Sequence, residues 1–337
     1  MINTKQELLT IINKHMESAP ASVRERLKTE LDYVTKNEGC AEFYMAARGM
    51  VNLSREMGYY SNSRGSLGAS LIAFLLGVTE INPLKYNLPF EVFAGIDYDR
   101  DPYIDLNFDE EFIPHAQRFM QVNFPSVPVS LADSCQLPDE ASICIGAFTA
   151  CARLKKLADI TGVDVYNIPL DDEKTLDMLI AADTSGIPTF ESDFAHDLIK
   201  STAPKVFDDF VRIYGVSNAS YVWTKWDDAT KESIVISEMP PYSEVIPFRD
   251  DVLMYLLDKG INRATAYKIM TDVRKGKGLT AEYEAIITKA NVPAWYVTSC
   301  KNVEYLFPKA HSVSYTMLAF RIAWFKAHYP EAYTQAL

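Results

Sequence analysis

Apolar residues recur at helical spacing across residues 4–37: Leu8, Leu9, Ile12 and Met16, then Val23, Leu27, Leu31 and Val34. Pro20 interrupts the run, so the pattern predicts two antiparallel amphipathic helices rather than one long one. A third helix is predicted over 41–57, closed by Gly58, with a short strand over 59–63 that enters a tight turn. Tyr103–Phe108 alternates in polarity and predicts a strand with Tyr103, Asp105 and Asn107 on one face. Residues 112–141 are punctuated by proline and read as a connector with one short helix over 115–122. The apolar run 141–148 predicts a buried strand, followed by helices over 150–160 and from Asn167 to Ala182. Beyond Ser192 the helical period dominates, over 194–202, 206–214, 249–259, 263–275, 280–290, 293–303 and 311–327; only 223–239 lacks a clear period and is expected to be irregular.

With 337 residues, 48% of them hydrophobic, the chain can bury the core of one large or two medium domains. Its 33 Lys and Arg face 45 Asp and Glu, a net charge of -12, which argues against coating nucleic acid or an anionic membrane through bulk charge. Any nucleic-acid surface must be a local patch. Cys40, Cys135, Cys144, Cys151 and Cys300 form no C-x-x-C pair and predict reduced thiols in a cytoplasmic protein. The N-terminus does not read as a signal peptide, and the longest uncharged apolar stretch, 67–79, falls short of the ~20 residues that span a bilayer. No membrane partner is expected.

Three segments carry candidate chemistry. Ser63-Arg64-Gly65-Ser66-Leu67-Gly68 joins a strand to a helix start, where backbone N–H groups, hydroxyls and an arginine suit a phosphate; the alternative is a plain capping turn. Asp97, Asp99, Asp101, Asp105, Asp109, Glu110 and Glu111 surround the alternating strand, a pattern that suits Mg²⁺ or a solvated acidic loop. Lys259, Arg263, Lys268, Arg274, Lys275 and Lys277 form a basic island in an acidic chain, fit for phosphate contact or simply a solvated helix face. Cys144 and Cys151 have no flanking base or cation and read as small buried fillers rather than reactive thiols.

In order along the chain, Ser63-Arg64-Gly65-Ser66-Leu67-Gly68, Thr79-Glu80-Ile81-Asn82-Pro83-Leu84, Pro89-Phe90-Glu91-Val92-Phe93 and Ile104-Asp105-Leu106-Asn107-Phe108 are followed by Ser185-Gly186-Ile187-Pro188, Val273-Arg274-Lys275-Gly276-Lys277-Gly278 and Phe307-Pro308-Lys309-Ala310-His311. Together they resemble the PolC-type alpha subunit of bacterial DNA polymerase III, from about Met45 to Pro330 with a gap in the middle. The resemblance implies an α+β fold: a polymerase β-like nucleotidyltransferase palm with a largely α-helical fingers domain. It divides the chain into N-terminal helices (1–44), a palm-like domain lacking the thumb insertion (45–165) and helical fingers (166–337). It also implies that Ser63, Arg64, Gly65, Ser66, Lys309 and His311 hold nucleotide phosphates and that Arg274, Lys275 and Lys277 contact DNA; the alternative for Lys309 and His311 is packing at a helix start.

The departures from the family pattern bear on chemistry. Three aspartates in the family converge on two Mg²⁺ ions. Here the first stands as Tyr103, the second remains as Asp105, and counting back from Thr161-Gly162-Val163-Asp164 puts the third at Cys144. Asp101 shares the face of Asp105 but lies about 13 Å along an extended strand. Asp193 and Asn218 stand where the resemblance implies Arg and His. Only about 35 residues separate the two palm strands, too few for a thumb, and the chain leaves no room for the exonuclease, PHP, helix-hairpin-helix and OB modules. The expectation is a catalytically degenerate relative, carried on a mobile element or phage, that binds nucleotide, DNA or a replisome protein. No cofactor is expected, and Mg²⁺ only if the chain is active. The alternatives are an active minimal polymerase or nucleotidyltransferase built on Asp105 with Asp99, Asp101 or Asp109, and a protein-interaction module that mimics part of the replisome.

Overall fold

The computed structural model describes residues 4–37, 39–132, 141–221, 224–227, 232–235 and 241–337. Three helices open the chain: α1 (Thr4–Glu17), α2 (Ala21–Lys36) and α3 (Cys40–Glu56). Pro20 caps α2, and Gly39 enters α3 at φ 80°. Both breaks fall where a ring without N–H, or a residue without Cβ, is tolerated. After β1 (Asn62–Ser63) come α4 (Leu71–Leu75), α5 (Glu91–Ala94), β2 (Tyr103–Phe108), α6 (Ile113–Asn123), β3 (Val129–Leu131), β4 (Ser142–Ala147) and α7 (Thr149–Thr161).

The four strands form one sheet in the order β1-β2-β4-β3; β2 and β3 run parallel to β4, and β1 is antiparallel to β2. Alternation divides the side chains of β2 and β4 between two faces. Ile104, Leu106, Phe108, Ile143 and Ile145 are buried and point toward α3 and α6, which pack on that side. Tyr103, Asp105 and Asn107 lie on the other face with their register partners Ser142, Cys144 and Gly146. The functional face is thus the polar side of a sheet whose apolar side anchors it.

The rest is mostly helical: α8 (Glu173–Ile180), α9 (Asp193–Thr202), α10 (Phe207–Asn218), then β5 (Ser220–Tyr221), the hairpin strands β6 (Thr224–Asp227) and β7 (Glu232–Val235), α11 (Arg249–Asp258), α12 (Arg263–Val273), α13 (Ala281–Lys289), α14 (Ala294–Asn302), β8 (Val303–Tyr305), α15 (Lys309–His328) and α16 (Pro330–Gln335). Helix α15 is buried on all sides, from Ala310 through Phe325. It packs against β1, α7, α8 and α10 and so joins the sheet to the helical half.

Several expectations are corrected. The 112–141 segment contains the edge strand β3, whose three residues are too few to show a period. The helix expected from Asn167 begins at Glu173: Val165–Asn167 is a separate 3-10 turn, and the Asp172 carboxylate accepts from Thr175 N and so sets the start. Within 223–239 the described residues form the β6–β7 hairpin; the others there lie outside the described residues. Cys144 is disulfide-bonded, against the expectation of reduced thiols, while Cys40, Cys151 and Cys300 are free and buried. Cys135 lies outside the described residues. No described helix is long and apolar enough to cross a membrane.

The basic loop after α12 depends on a glycine. Gly276 has φ +73°, and a Cβ there would sit 2.7 Å from the Glu304 carbonyl oxygen. Gly260 has φ +76° with open space around it. Urea unfolding is expected to register a loss of about 1 kcal/mol for Gly260→Ala, from φ alone, and about 3 kcal/mol for Gly276→Ala, where backbone must move as well. Equal losses would mean that the Glu304 contact does not constrain the loop.

Candidate functional site

Arg64 leaves β1 directly over the polar face of the sheet. Its N–H donates to the Asp105 carbonyl (2.9 Å), its Nε to Asp105 Oδ1 (2.8 Å) and its Nη2 to Cys144 Sγ (3.6 Å). A Cβ on Gly146 would lie 3.1 Å from Asn107 Oδ1 and 3.5 Å from Arg64 Nη1, so the glycine clears the space in which the guanidinium lies. Asn107 Nδ2 donates to Tyr315 Oη (2.7 Å) on α15, which ties this face to the helical half. Tyr315 stacks on His311 (4.2 Å), and His311 Nδ1 accepts from Gly65 N (3.2 Å). Gly65, at φ 61°, thus turns its N–H to the first turn of α15.

Burial pulls the His311 imidazole down to about 3, and the nearby Arg64 and Arg249 charges push the same way. The ring is therefore neutral near pH 7, with Nδ1 the acceptor and the proton on Nε2. Burial raises the Asp105 carboxyl above its ordinary value, and Arg64 offsets only part of that. Tyr103, on the same face, is pushed up to about 12 by burial and then by the Asp105 charge.

Three features of the structure bear on the expected phosphate cradle. The helix after the turn, α4, has only five residues, and its first N–H groups are already taken. The fully buried Glu30 accepts from Leu71 N, Ile72 N and Ser70 Oγ and pairs with Arg26 (2.6 Å), while Ser70 Oγ accepts from Ala73 N. A carboxylate from α2 thus occupies the positive helix end that a phosphate would use. Ser63 is buried, its hydroxyl shared with Thr79 (2.9 Å) and Ser314 (3.3 Å), so it braces the turn from inside. Ser66 and Gly65 stay partly exposed.

In the helical half, Lys309 caps nothing itself: its N–H donates to Asp250 Oδ2 (3.0 Å) and its Nζ to Asp251 (2.9 Å). Lys277 pairs with Asp272 (3.1 Å), and Arg263 pairs with Glu91 (2.9 Å) and lies over the Tyr98 ring. Lys275 is exposed. Arg274 turns inward, and burial followed by the like charges of Arg249 and Arg100 pulls it down to about 10. Among the described residues no carboxylate lies within ion-pair distance of it. Arg249, whose buried Nε has no hydrogen-bond partner but lies 3.9 Å from Asp250 Oδ2, is close enough for its charge to act on both His311 and Arg274. Local charge counting misses Arg249 because Asp250 and Asp251 follow it, and misses Arg100 because it sits among aspartates. A cleft of about 730 Å³ lies between the start of α7 and the Ser185-Gly186-Ile187-Pro188 loop; Phe148, Arg153, Lys156, Pro188, Tyr214 and Tyr315 line it.

Two family models match in order: the bacterial DNA polymerase III alpha NTPase domain over residues 3–133 and the alpha subunit finger domain over residues 147–291. The chain belongs to the bacterial DNA polymerase III alpha family. It is similar to DNA polymerase III PolC-type of Thermotoga maritima (30% identity, 92% of this chain, 33% of that protein). The same holds for the proteins of that name from Caldanaerobacter subterraneus (29%, 93% and 32%) and Bacillus subtilis (26%, 95% and 32%). The chain thus spans about a third of the length of the curated relatives it matches. The alignment with the Caldanaerobacter protein runs over 453 positions while using 93% of 337 residues, so about 140 positions of that relative have no counterpart here.

Polymerases of this family are normally Mg²⁺-dependent, and the donor set can be tested for that ion. Two hard octahedral cations need several carboxylate oxygens. Tyr103 keeps its phenolic proton near pH 7, Cys144 offers disulfide sulfur, and Asp105 is paired with Arg64. Among the described residues no three His, Cys, Asp or Glu side chains gather as a metal site. Nor do Asp99 and Asp101 rescue the set: Asp99 lies beside Gly95, and Asp101 acts on Tyr33 and Cys40. Asp109 is occupied in accepting from Glu111 N. The described residues do not fit Mg²⁺.

Proposed function

We propose that this chain is a polymerase III alpha relative that has lost nucleotidyl transfer and binds the phosphates of a nucleotide or of DNA in the cleft between its sheet and its helical half. The observation that carries the reading is a contrast: the one carboxylate on the polar face of the sheet, Asp105, is already paired with Arg64, whereas Arg274 has no described carboxylate within ion-pair distance and lies among the like charges of Arg249 and Arg100. The matched NTPase and finger domains support it, since both belong to a DNA polymerase subunit. A net charge of -12 confines any nucleic-acid affinity to this patch and makes it weak and salt-sensitive.

Primer extension with Mg²⁺ or Mn²⁺ and all four nucleotides, run beside Asp105→Ala, tests the loss of catalysis. No incorporation by the folded protein is the expected result. Incorporation that disappears in Asp105→Ala would establish a working site on other ligands and overturn the reading. Nucleotide binding is tested by titration of a fluorescent deoxynucleoside triphosphate, with Arg274→Gln expected to weaken it at least tenfold.

A further inference from the structure

We propose that the cleft between α7 and the 185–188 loop takes a nucleotide with a single phosphate, a nucleoside monophosphate, with Arg153 and Lys156 at its phosphate and the Thr189 hydroxyl as a further contact. The proposal rests on the reading of the cleft as a nucleotide site and names which nucleotide it fits. A volume of about 730 Å³ accommodates a ligand of that size. Phe148, Tyr214 and Tyr315 line it; Tyr315 lies parallel to Tyr214 (6.1 Å, 16°) and tilted on Phe148 (5.1 Å). Aromatic surface of this kind stacks a base of any identity. The charged residues of the lining are Arg153, Lys156 and Glu191, and among the described residues neither cation is paired with a carboxylate. Cations thus exceed carboxylates by one in the cleft itself, which matches one phosphate. A triphosphate brings two more phosphates for which the lining holds no further cation.

The wall of the cleft is fixed in advance. Arg153 Nη1 donates to Gly186 O (2.6 Å), Tyr333 Oη to Ser185 O (2.9 Å) and Lys326 Nζ to Ser185 O (3.1 Å), so α7, α16 and α15 each hold the loop. The Arg153 guanidinium also lies over the Tyr333 ring (4.3 Å). These anchors leave its Nε and Nη2 buried without a hydrogen-bond partner among the described residues, an unmet donor capacity that a phosphate oxygen satisfies well. Directly after the loop, Thr189 stands at φ +75°, a conformation that a β-branched residue adopts only under constraint. Its Oγ1 is buried and has no partner among the described residues, so within the chain the hydroxyl gives no return for the strain. A strained residue that lines a cleft and carries an unmatched hydroxyl fits a ligand contact, where such strain is commonly held by the surrounding structure.

The test is calorimetric titration of the full chain in EDTA with dAMP, dATP and deoxyadenosine. Binding of dAMP at least as tight as dATP is expected, with deoxyadenosine about tenfold weaker for want of the phosphate. Arg153 also anchors the loop, so the exposed Lys156 is the cleaner cation to remove: Lys156→Gln is expected to weaken dAMP roughly fivefold and leave deoxyadenosine unchanged. Thr189→Val keeps the branched side chain without the hydroxyl and is expected to weaken dAMP about fivefold, whereas Thr189→Ser retains binding. Thr189→Gly relieves the strain, so its Tm is expected to stay or rise while dAMP affinity falls. A Thr189→Gly that loses stability and affinity together makes Thr189 a structural residue and overturns its part in the proposal. Tight dATP binding with dAMP tenfold or more weaker, or dAMP binding untouched by both Lys156→Gln and Thr189→Val, overturns the proposal while nucleotide binding stands. Absence of heat with both dAMP and dATP overturns both.

Discussion

Arg321→Met is expected to lower the free energy of unfolding by about 3–5 kcal/mol, the cost of leaving a buried charge without its partner. Arg321 lies in the buried middle of α15 and makes a two-pronged pair with Glu80, Nη1 to Oε2 at 2.7 Å and Nη2 to Oε1 at 2.6 Å, while Nη1 also donates to Tyr60 Oη at 2.6 Å. Burial would raise the Glu80 carboxyl, but Arg321 outweighs it and holds the folded value below the ordinary one. The stability from that pair is therefore present above the unfolded value near 4.3 and lost as pH falls through the folded value. In the variant only the Tyr60 hydrogen bond and the Arg55 charge still oppose burial, so Glu80 takes up a proton more readily and the gap to wild type narrows on acidification. Urea unfolding near neutral pH and near pH ~4.5 reads both effects. A gap under about 1 kcal/mol would mean that Glu80 reaches water once Arg321 is gone. Glu80→Gln combined with Arg321→Met is expected to recover part of the loss, giving a coupling of roughly 2–3 kcal/mol.

That pair also shows what kind of information the sequence carries. Glu80 belongs to the Thr79-Glu80-Ile81-Asn82-Pro83-Leu84 segment that helped to reveal the family, but the segment says nothing of Arg321, 241 residues further on. Local pattern was sufficient for α1, α2 and α3 and for the alternation of β2, because the period of each element is written in the element itself. Counting residues was sufficient to put Cys144 beside Asp105, and the strand register gives that pairing. What failed was occupancy. Glu30 fills the start of α4 from another helix, Ser63 turns its hydroxyl inward, and Lys309 is held by Asp251. Each is a tertiary contact that no window of sequence contains. Arg249 was invisible for a related reason: Asp250 and Asp251 follow it in the chain, and nothing local shows that its charge acts on His311 and Arg274 as well as on Asp250, whose Oδ2 also accepts from Lys309 N.

His311 makes the junction acid-labile. Its Nδ1 accepts from Gly65 N and its ring stacks on Tyr315, contacts that only the neutral ring makes on both counts, since a protonated Nδ1 cannot accept. Burial and the cations Arg64 and Arg249 lower its folded value to about 3, against about 6.5 in the unfolded chain. With a depressed folded value, the stabilising contribution is complete above the unfolded value and is lost as pH falls toward the folded one. From about pH 7.5 to about pH 4.5 the linkage amounts to roughly 2.5 kcal/mol, at 1.36 kcal/mol per unit. His311→Asn keeps an acceptor near Gly65 N but does not titrate. Wild type is therefore expected to lose roughly 2.5 kcal/mol more than His311→Asn over that interval, even though the variant starts lower through loss of the stack on Tyr315. Parallel losses would mean that the junction opens and admits the proton before the fold unravels. The same loss of contact frees the Gly65 N–H, so acid would loosen the turn after β1 and its attachment to α15 together.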